Sequence, residues 1–246
     1  MDDRVFSEKH RVNFYNADQN GNLLFSSYLN WCGEIAGTHL ETRGITREIM
    51  LEDDQVFLLT KVGYKCYKPA KYGDIVTLKT WEHSIKGAHF FRCFALERDG
   101  ELLCESISDW SLVAPKSRKI LRPSEYKYEF LLIEQPTSAQ INKIKIPELS
   151  ATGEHIVTFS ETDGNGHLNN SNYGNFLVDK APAAVAEELS RGGILHSADI
   201  SFLREARMGE KISIHTDMTD NGYSMYGCFD DGKRCFEAAA ELMVMG

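Results

Sequence analysis

The sequence predicts an α+β fold made of two tandem modules, each an antiparallel sheet wrapped around a long central helix. Three observations predict it. The chain repeats itself: Val12-Asn13-Phe14 aligns with Val157-Thr158-Phe159 at an offset of 145, with no gap over the next twenty residues. Identical pairs include His10/His155, Phe14/Phe159, Asp18/Asp163, Asn20/Asn165, Gly21/Gly166, Leu23/Leu168, Ser26/Ser171 and Tyr28/Tyr173. Each copy then carries one run of apolar residues at helical spacing. After it come alternating, strand-like runs separated by hairpin signals.

The first module opens with a strand over 9–15 and a turn. Tyr28, Trp31, Cys32, Ile35, Ala36, His39 and Leu40 then recur at helical spacing, with Gly44 at the C-cap position. Strands are expected over 56–67, 74–85, 88–98 and 101–114. The second module has a strand over 154–160, then Tyr173, Phe176, Leu177, Ala181, Ala184, Val185 and Leu189 on one helix. Pro182 is expected to kink that helix and Gly192-Gly193 to end it. Strands follow over 196–205, 210–218, 222–229 and 234–245. Gly73-Asp74, Lys86-Gly87, Asp99-Gly100, Gly209-Glu210, Asn221-Gly222 and Asp231-Gly232 mark the turns. Residues 115–150 form the linker between modules 1–114 and 151–246 and hold Pro115, Pro123, Pro136 and Pro147. Tyr126, Tyr128, Phe130, Leu131, Leu132 and Ile133 make it too apolar to be loose, so it should pack on the surface, with a helical stretch near 137–144.

Composition narrows the function. At 246 residues, 42% hydrophobic and 11% aromatic, the chain is that of an ordinary globular protein. It has no apolar run long enough to span a membrane and no signal peptide is visible at Met1-Asp2-Asp3-Arg4. Cys32, Cys66, Cys93, Cys104, Cys228 and Cys235 form no CxxC pair, which favours reduced thiols in the cytoplasm and no metal site. A net charge of −9 argues against a general nucleic-acid binder.

The copies differ at one informative position. The C-terminal copy reads Asp163-Gly164-Asn165-Gly166-His167-Leu168-Asn169-Asn170, and the N-terminal copy Asp18-Gln19-Asn20-Gly21-Asn22-Leu23, so Asn22 stands where His167 stands. A duplication in which one copy lacks the titrating base suggests one active site and one supporting half. The Asp-x-Asn-x-His-x-Asn-Asn run, the glutamate in Leu203-Arg204-Glu205-Ala206 and the duplication together resemble the acyl-ACP thioesterases, two-module hotdog enzymes of plants and bacteria. The resemblance covers nearly the whole chain. It implies a hotdog fold for each module, an N-terminal half that receives the fatty acyl chain and sets its length, and a catalytic C-terminal half. It also implies hydrolysis of fatty acyl-acyl carrier protein to free fatty acid, ending chain elongation. In plant members a cysteine often follows the glutamate; here that position is Ala206, which leaves Asp163, Asn165, His167 and Glu205 as the catalytic set.

Those residue types suit the chemistry. A histidine shares a proton near neutral pH, and Glu205 can hold or deprotonate the attacking water with His167. Asn165 offers two N–H donors and a carbonyl to orient water or substrate. Asp163 can orient either neighbour or assist as a second carboxylate, and Asp163 and Asn165 are also the residue types that simply build turns. If the turn opens the helix, backbone N–H groups of Gly166, Leu168 and Asn169 could form an oxyanion hole. Three other patterns fail. A dinucleotide turn lacks its third glycine at Asn169. A calcium loop would need glycine at Leu168 and glutamate at Gly174, and Gly222-Tyr223-Ser224-Met225-Tyr226 lacks the closing glycine of a serine-hydrolase elbow.

Trp31, Phe57, Leu59 and Trp110 are candidates for the wall of an acyl tunnel. No cofactor is expected. Acyl carrier protein is acidic, and Lys61, Lys65, Lys68, Lys71 and Lys79, together with Lys116, Arg118, Lys119, Arg122 and Lys127, offer it local basic patches. Rival readings are an acyl-CoA thioesterase, a hotdog dehydratase or hydratase acting on 3-hydroxyacyl or enoyl thioesters, and an acyl-thioester binding protein. Duplication supplies internally the pairing that single hotdog domains make, so a monomer and a homodimer are both compatible.

Overall fold

The computed structural model describes residues 3–135 and 137–243. The chain divides into two compact units. One holds the described residues of Met1–Val12, Trp31–Ala70 and Asp74–Ile141, and the other those of Asn13–Asn30, Lys71–Gly73 and Asn142–Gly246.

In chain order the elements up to the linker are β1 (Val5–Arg11), α1 (Phe25–Glu41), α2 (Arg47–Glu52), β2 (Val56–Cys66), β3 (Ile75–Lys86), β4 (His89–Arg98), β5 (Glu101–Ala114) and a two-residue β6 (Lys119–Ile120). The strands of the first unit lie in the order β1-β3-β4-β5-β2, all pairs antiparallel, with β6 on β5. The four strands expected over 56–114 form within a residue of their spans, because alternation fixes which face is buried and Asp99-Gly100, with φ of 51° and 82°, closes the β4–β5 hairpin. The strand expected over 9–15 instead runs over Val5–Arg11, and Phe14–Asn16 is a 3-10 turn, as Phe159–Glu161 is in place of the end of the strand expected over 154–160. On α1 the residues at helical spacing are the buried ones: Tyr28, Trp31, Cys32, Ile35, Ala36 and His39. Gly44, at φ 74°, sits in the turn that ends it.

The interior of this unit contains charge. Glu82 on β3 accepts from Arg43 Nη1 at 2.9 Å, from Arg92 Nη2 at 3.2 Å and from the Leu131 amide at 2.6 Å. Arg92 Nη1 donates to His39 Nδ1 at 3.1 Å, which leaves the ring proton on Nε2, 3.0 Å from the Asp3 carbonyl. Burial first, and the Arg92 charge with it, hold His39 below the usual imidazole range.

The second unit contains β7 (Ala151–Ile156), α3 (Asn172–Asp179), α4 (Ala183–Ser190), β8 (Ile194–Phe202), β9 (Lys211–Thr219), β10 (Gly222–Cys228) and β11 (Arg234–Met243); the end of the last expected strand lies outside the described residues. Its strand order, β7-β9-β10-β11-β8, repeats that of the first unit element for element. The expected long, kinked helix is instead two short ones. Pro182 has no N–H to continue α3, and it stands as the residue that opens α4. Gly192, at φ 100°, ends α4. In this unit the start of α1 packs on α3 where a Cβ at Gly174 would meet Ser26 N at 3.1 Å and Leu29 Cδ1 at 3.2 Å.

The linker corrects one expectation. No helix forms over 137–144. The amides a helix would use go to carboxylates on the sheets: Ser138 N donates to Glu105 at 3.0 Å, and Asn142 N to Asp199 at 2.7 Å. Tyr126 is buried in a cluster with Ile45, Met50, Phe90 and Leu112, joined by the partly buried Phe57, Trp110, Tyr128 and Phe130, so the apolar stretch packs against the first unit while most of its residues stay at the surface. A Cβ on Gly63 would lie 2.0 Å from the Gln140 carbonyl oxygen. Gly63→Ala should therefore cost about 1–3 kcal/mol in chemical unfolding. Gly37→Ala on the exposed side of α1, with nothing within 4 Å, should be neutral or stabilising; equal effects would mean that the Gln140 backbone does not constrain position 63.

Candidate active site

The signature folds as a turn, and the first copy repeats the backbone hydrogen bonds that close it, while the side chains differ: Asn20 Nδ2 donates to the Leu189 carbonyl at 2.8 Å. Asp163 N donates to the His167 carbonyl at 2.8 Å, as Asp18 N does to Asn22 at 2.8 Å. Asp163 Oδ1 accepts from Asn165 N at 2.8 Å and His167 N at 3.3 Å; Asp18 Oδ1 accepts from Asn20 N at 2.8 Å and Asn22 N at 2.9 Å. Gly166 at φ 76° and Gly21 at φ 74° take the left-handed position the turn needs. The Asp163 carboxylate is thus occupied in building the turn, and its other oxygen receives Asn165 Nδ2 at 3.3 Å. Both carboxylate oxygens therefore carry bonds within the turn.

A residue the sequence reading passed over supports the turn from beneath. Glu161 accepts from Thr158 N at 2.7 Å, Thr158 Oγ1 at 2.8 Å and His155 Nε2 at 3.0 Å, and its carbonyl receives Asn169 N at 2.9 Å. Burial pushes its carboxyl up, but these hydrogen bonds outweigh it and hold the group below the usual range. The signal was the Thr158-Phe159-Ser160-Glu161 capping box.

The backbone donors named for an oxyanion hole are already in use. Gly166 N donates to Asp163 O at 2.9 Å, Leu168 N to Ala206 O at 2.7 Å and Asn169 N to Glu161 O at 2.9 Å. Nor does the turn open the helix directly: α3 begins at Asn172, after Asn169 Oδ1 has taken Ser171 N at 2.9 Å. That expectation is corrected, because each of these three amides already has a backbone acceptor.

His167 and Glu205 are brought together. His167 forms a bridge to Arg207, which carries the Leu203–Gly209 loop against the turn. His167 Nε2 lies 3.2 Å from Glu205 Oε2. The pair is off the line a hydrogen bond requires, and Nε2 is a buried nitrogen without a hydrogen-bond partner. An orphaned ring nitrogen beside a half-exposed carboxylate can take a proton from a third group, and bonds of this kind commonly tighten only when substrate is bound. The corresponding bridge in the first copy joins Asn22 to Lys71, and two residues before Lys71 stands Pro69. The first copy therefore lacks both the histidine and the glutamate. Cys235, whose carbonyl holds Leu203 and Arg204, is no substitute nucleophile: burial pushes its thiol up to about 12. Among the described residues no group of three or more His, Cys, Asp or Glu could hold a metal ion.

The acyl-ACP thioesterase N-terminal domain model matches residues 3–129, more than half the chain, and the C-terminal domain model matches residues 145–231. The chain belongs to the acyl-ACP thioesterase family. Its relatives include a chloroplastic palmitoyl-acyl carrier protein thioesterase of Gossypium hirsutum, 21% identical over 239 residues, covering 90% of this chain and 57% of that one. A chloroplastic acyl-[acyl-carrier-protein] hydrolase of Cuphea viscosissima is 26% identical over 215 residues, covering 82% and 50%. The chain thus spans about half the length of the curated relatives it matches. The fold is that of a crystallised acyl-ACP thioesterase from Bacteroides thetaiotaomicron, with TM-score 0.89, 18% identity and coverage of 99% and 100%. The 12:0-ACP thioesterase of Umbellularia californica gives TM-score 0.84 and 17% identity, covering 98% of both chains. Each unit of this thioesterase-family chain is accordingly a hotdog sheet and helix.

The four tunnel candidates are not one group. Phe57 and Trp110 join the cluster around Tyr126, Leu59 is the strand partner of Trp110, and Trp31 stacks on His10 with centroids 4.7 Å apart.

Proposed function

We propose that this protein hydrolyses fatty acyl-acyl carrier protein thioesters to free fatty acid and carrier thiol. The observation that supports it best is the orphaned His167 Nε2 beside exposed Glu205, present in one copy and replaced in the other by Asn22 and Pro69. In this reading Glu205 orients a water and His167 Nε2 accepts its proton as the water oxygen bonds to the thioester carbon. The Asn165 amide polarises the carbonyl, in place of the backbone groups that are already bonded. The tetrahedral species collapses with cleavage of the C–S bond, and the proton on His167 passes to the departing sulfur. Asp163 and Glu161 hold the turn on which Asn165 and His167 ride.

The acyl chain enters the first module, with Phe57, Leu59, Trp110 and Trp31 as wall candidates. An acidic carrier is the partner, steered by local basic charge on a chain of net −9. Six free thiols, with Cys66 and Cys104 Sγ 3.4 Å apart, suit a reducing compartment such as the cytoplasm.

The test is product formation by the purified protein on C8 to C18 acyl-ACP and the matching acyl-CoA series. Turnover confined to acyl-ACP is the expected result. Equal turnover on acyl-CoA would make it a general acyl thioesterase. Binding without hydrolysis would contradict the reading in favour of a sensor or dehydratase.

A further inference from the structure

We propose that Arg204 and Arg207, which bracket Glu205, are the contact by which an acidic carrier protein docks beside the site. This rests on the hydrolase reading above and adds where the protein part of the substrate is held.

The two copies supply the argument. Leu203 N and Arg204 N both donate to the Cys235 carbonyl, at 2.8 and 3.1 Å; Tyr67 N and Lys68 N donate to the Leu103 carbonyl, at 2.8 and 3.2 Å. Lys68 is therefore the counterpart of Arg204. The bridges Asn22–Lys71 and His167–Arg207 make Lys71 the counterpart of Arg207. Both copies thus keep a cation at both positions.

What differs is the fate of the charge. In the first copy Lys68 forms an ion pair with Glu101, and Lys71 Nζ donates to Asn22 Oδ1. In the second copy both partners are gone. Asp99-Gly100-Glu101 corresponds to Asp231-Gly232-Lys233, so a lysine, itself paired to Asp231 at 2.7 Å, stands in place of Glu101. His167 stands in place of Asn22. Neither arginine makes an ion pair among the described residues, and Arg204 acts on the Asp231 carboxyl only as the least of several influences. Both are exposed, with Leu203 at 49% and Met208 at 60% exposure in the same loop.

Several basic residues elsewhere are paired with this chain's own acids: Lys79 with Glu97, Lys127 with Asp53 and Arg122 with Glu125. Two free guanidinium groups in an exposed, partly apolar loop, next to the catalytic pair on an acidic chain, match an acidic protein face. A carrier seated there presents its thioester arm to His167 and Glu205.

The experiment compares kcat/KM of wild type and Arg204→Ala/Arg207→Ala on three thioesters of one acyl chain: acyl-ACP, acyl-CoA and acyl-N-acetylcysteamine. The expected result is a fall of about tenfold or more in the ratio of acyl-ACP to acyl-N-acetylcysteamine, with the acyl-CoA ratio retained and a weaker dependence of the acyl-ACP rate on salt. A parallel loss on acyl-CoA would assign the arginines to a phosphate and overturn the proposal. A uniform loss on all three would assign them to the chemistry or the fold and also overturn it. Direct titration with acyl carrier protein is run on both proteins. If wild type hydrolyses nothing, the hydrolase reading fails, and docking stands or falls on whether the variant binds the carrier about tenfold more weakly.

Discussion

His167→Asn should lower kcat for thioester hydrolysis by about 10²–10⁴-fold, the range for losing a positioned general base, while leaving the unfolding midpoint close to wild type. The substitution installs what the first copy already carries in the same turn. Asn22 is buried there, with its backbone N–H on Asp18 Oδ1 at 2.9 Å, so asparagine is compatible with the local backbone. What it removes is the ring nitrogen that faces Glu205 at 3.2 Å. Glu205→Gln should give a loss of similar order. The double variant should be little worse than either single one, because residues that act as a unit are not additive. Two independent, multiplying losses, measured on acyl-ACP under saturating conditions, would show that the pair does not share one proton transfer.

Glu82→Ala should destabilise the first unit by about 3–5 kcal/mol, the cost of leaving buried charge uncompensated. Glu82 contacts both Arg43 and Arg92, alone among the acids of the described residues, and it also holds the Leu131 amide. Burial already makes the Arg92 guanidinium less favourable as a cation, with Glu82 opposing that, so removing the carboxylate leaves the burial cost standing. Glu97→Ala breaks the Lys79 pair, whose lysine is 37% exposed, and should cost no more than about 1 kcal/mol. Urea unfolding of both variants decides the matter. Equal losses would mean that the Glu82 cluster contributes no more than a surface pair.

The sheets were legible because period-two burial and the Asp-Gly and Asn-Gly turns depend on neighbours in the chain. The same holds for α1, where Tyr28 to His39 repeat at helical spacing. The break between α3 and α4 was half legible: Pro182 signals an interruption, but whether a helix bends or stops depends on what satisfies the freed carbonyls. Over 137–144 local pattern suggested a helix and distant carboxylates, Glu105 and Asp199, took the amides instead.

At the site the residue identities were readable from the duplication alone, since Asn22 against His167 separates what the turn needs from what the chemistry needs. The state of the backbone donors was not. Gly166, Leu168 and Asn169 look free in a Gly-rich turn, and only the fold shows each donating inward. Charge was the least legible feature. The lysines of 61–79 form a basic run in sequence, yet Lys68 and Lys79 meet Glu101 and Glu97 across the sheet. Arg204 and Arg207, which make no ion pair among the described residues, are plain in the sequence, but only the fold shows that they lack one.

The central claim is that two turns of one architecture hold a single site. The most direct measurement applies one chemical change at the two equivalent positions, His167→Ser and Asn22→Ser, and follows release of free fatty acid from acyl-ACP, normalised to folded protein. The account predicts that His167→Ser loses turnover by at least about 10²-fold and that Asn22→Ser keeps it within a few fold. Equal losses, or a larger loss at Asn22, would contradict it.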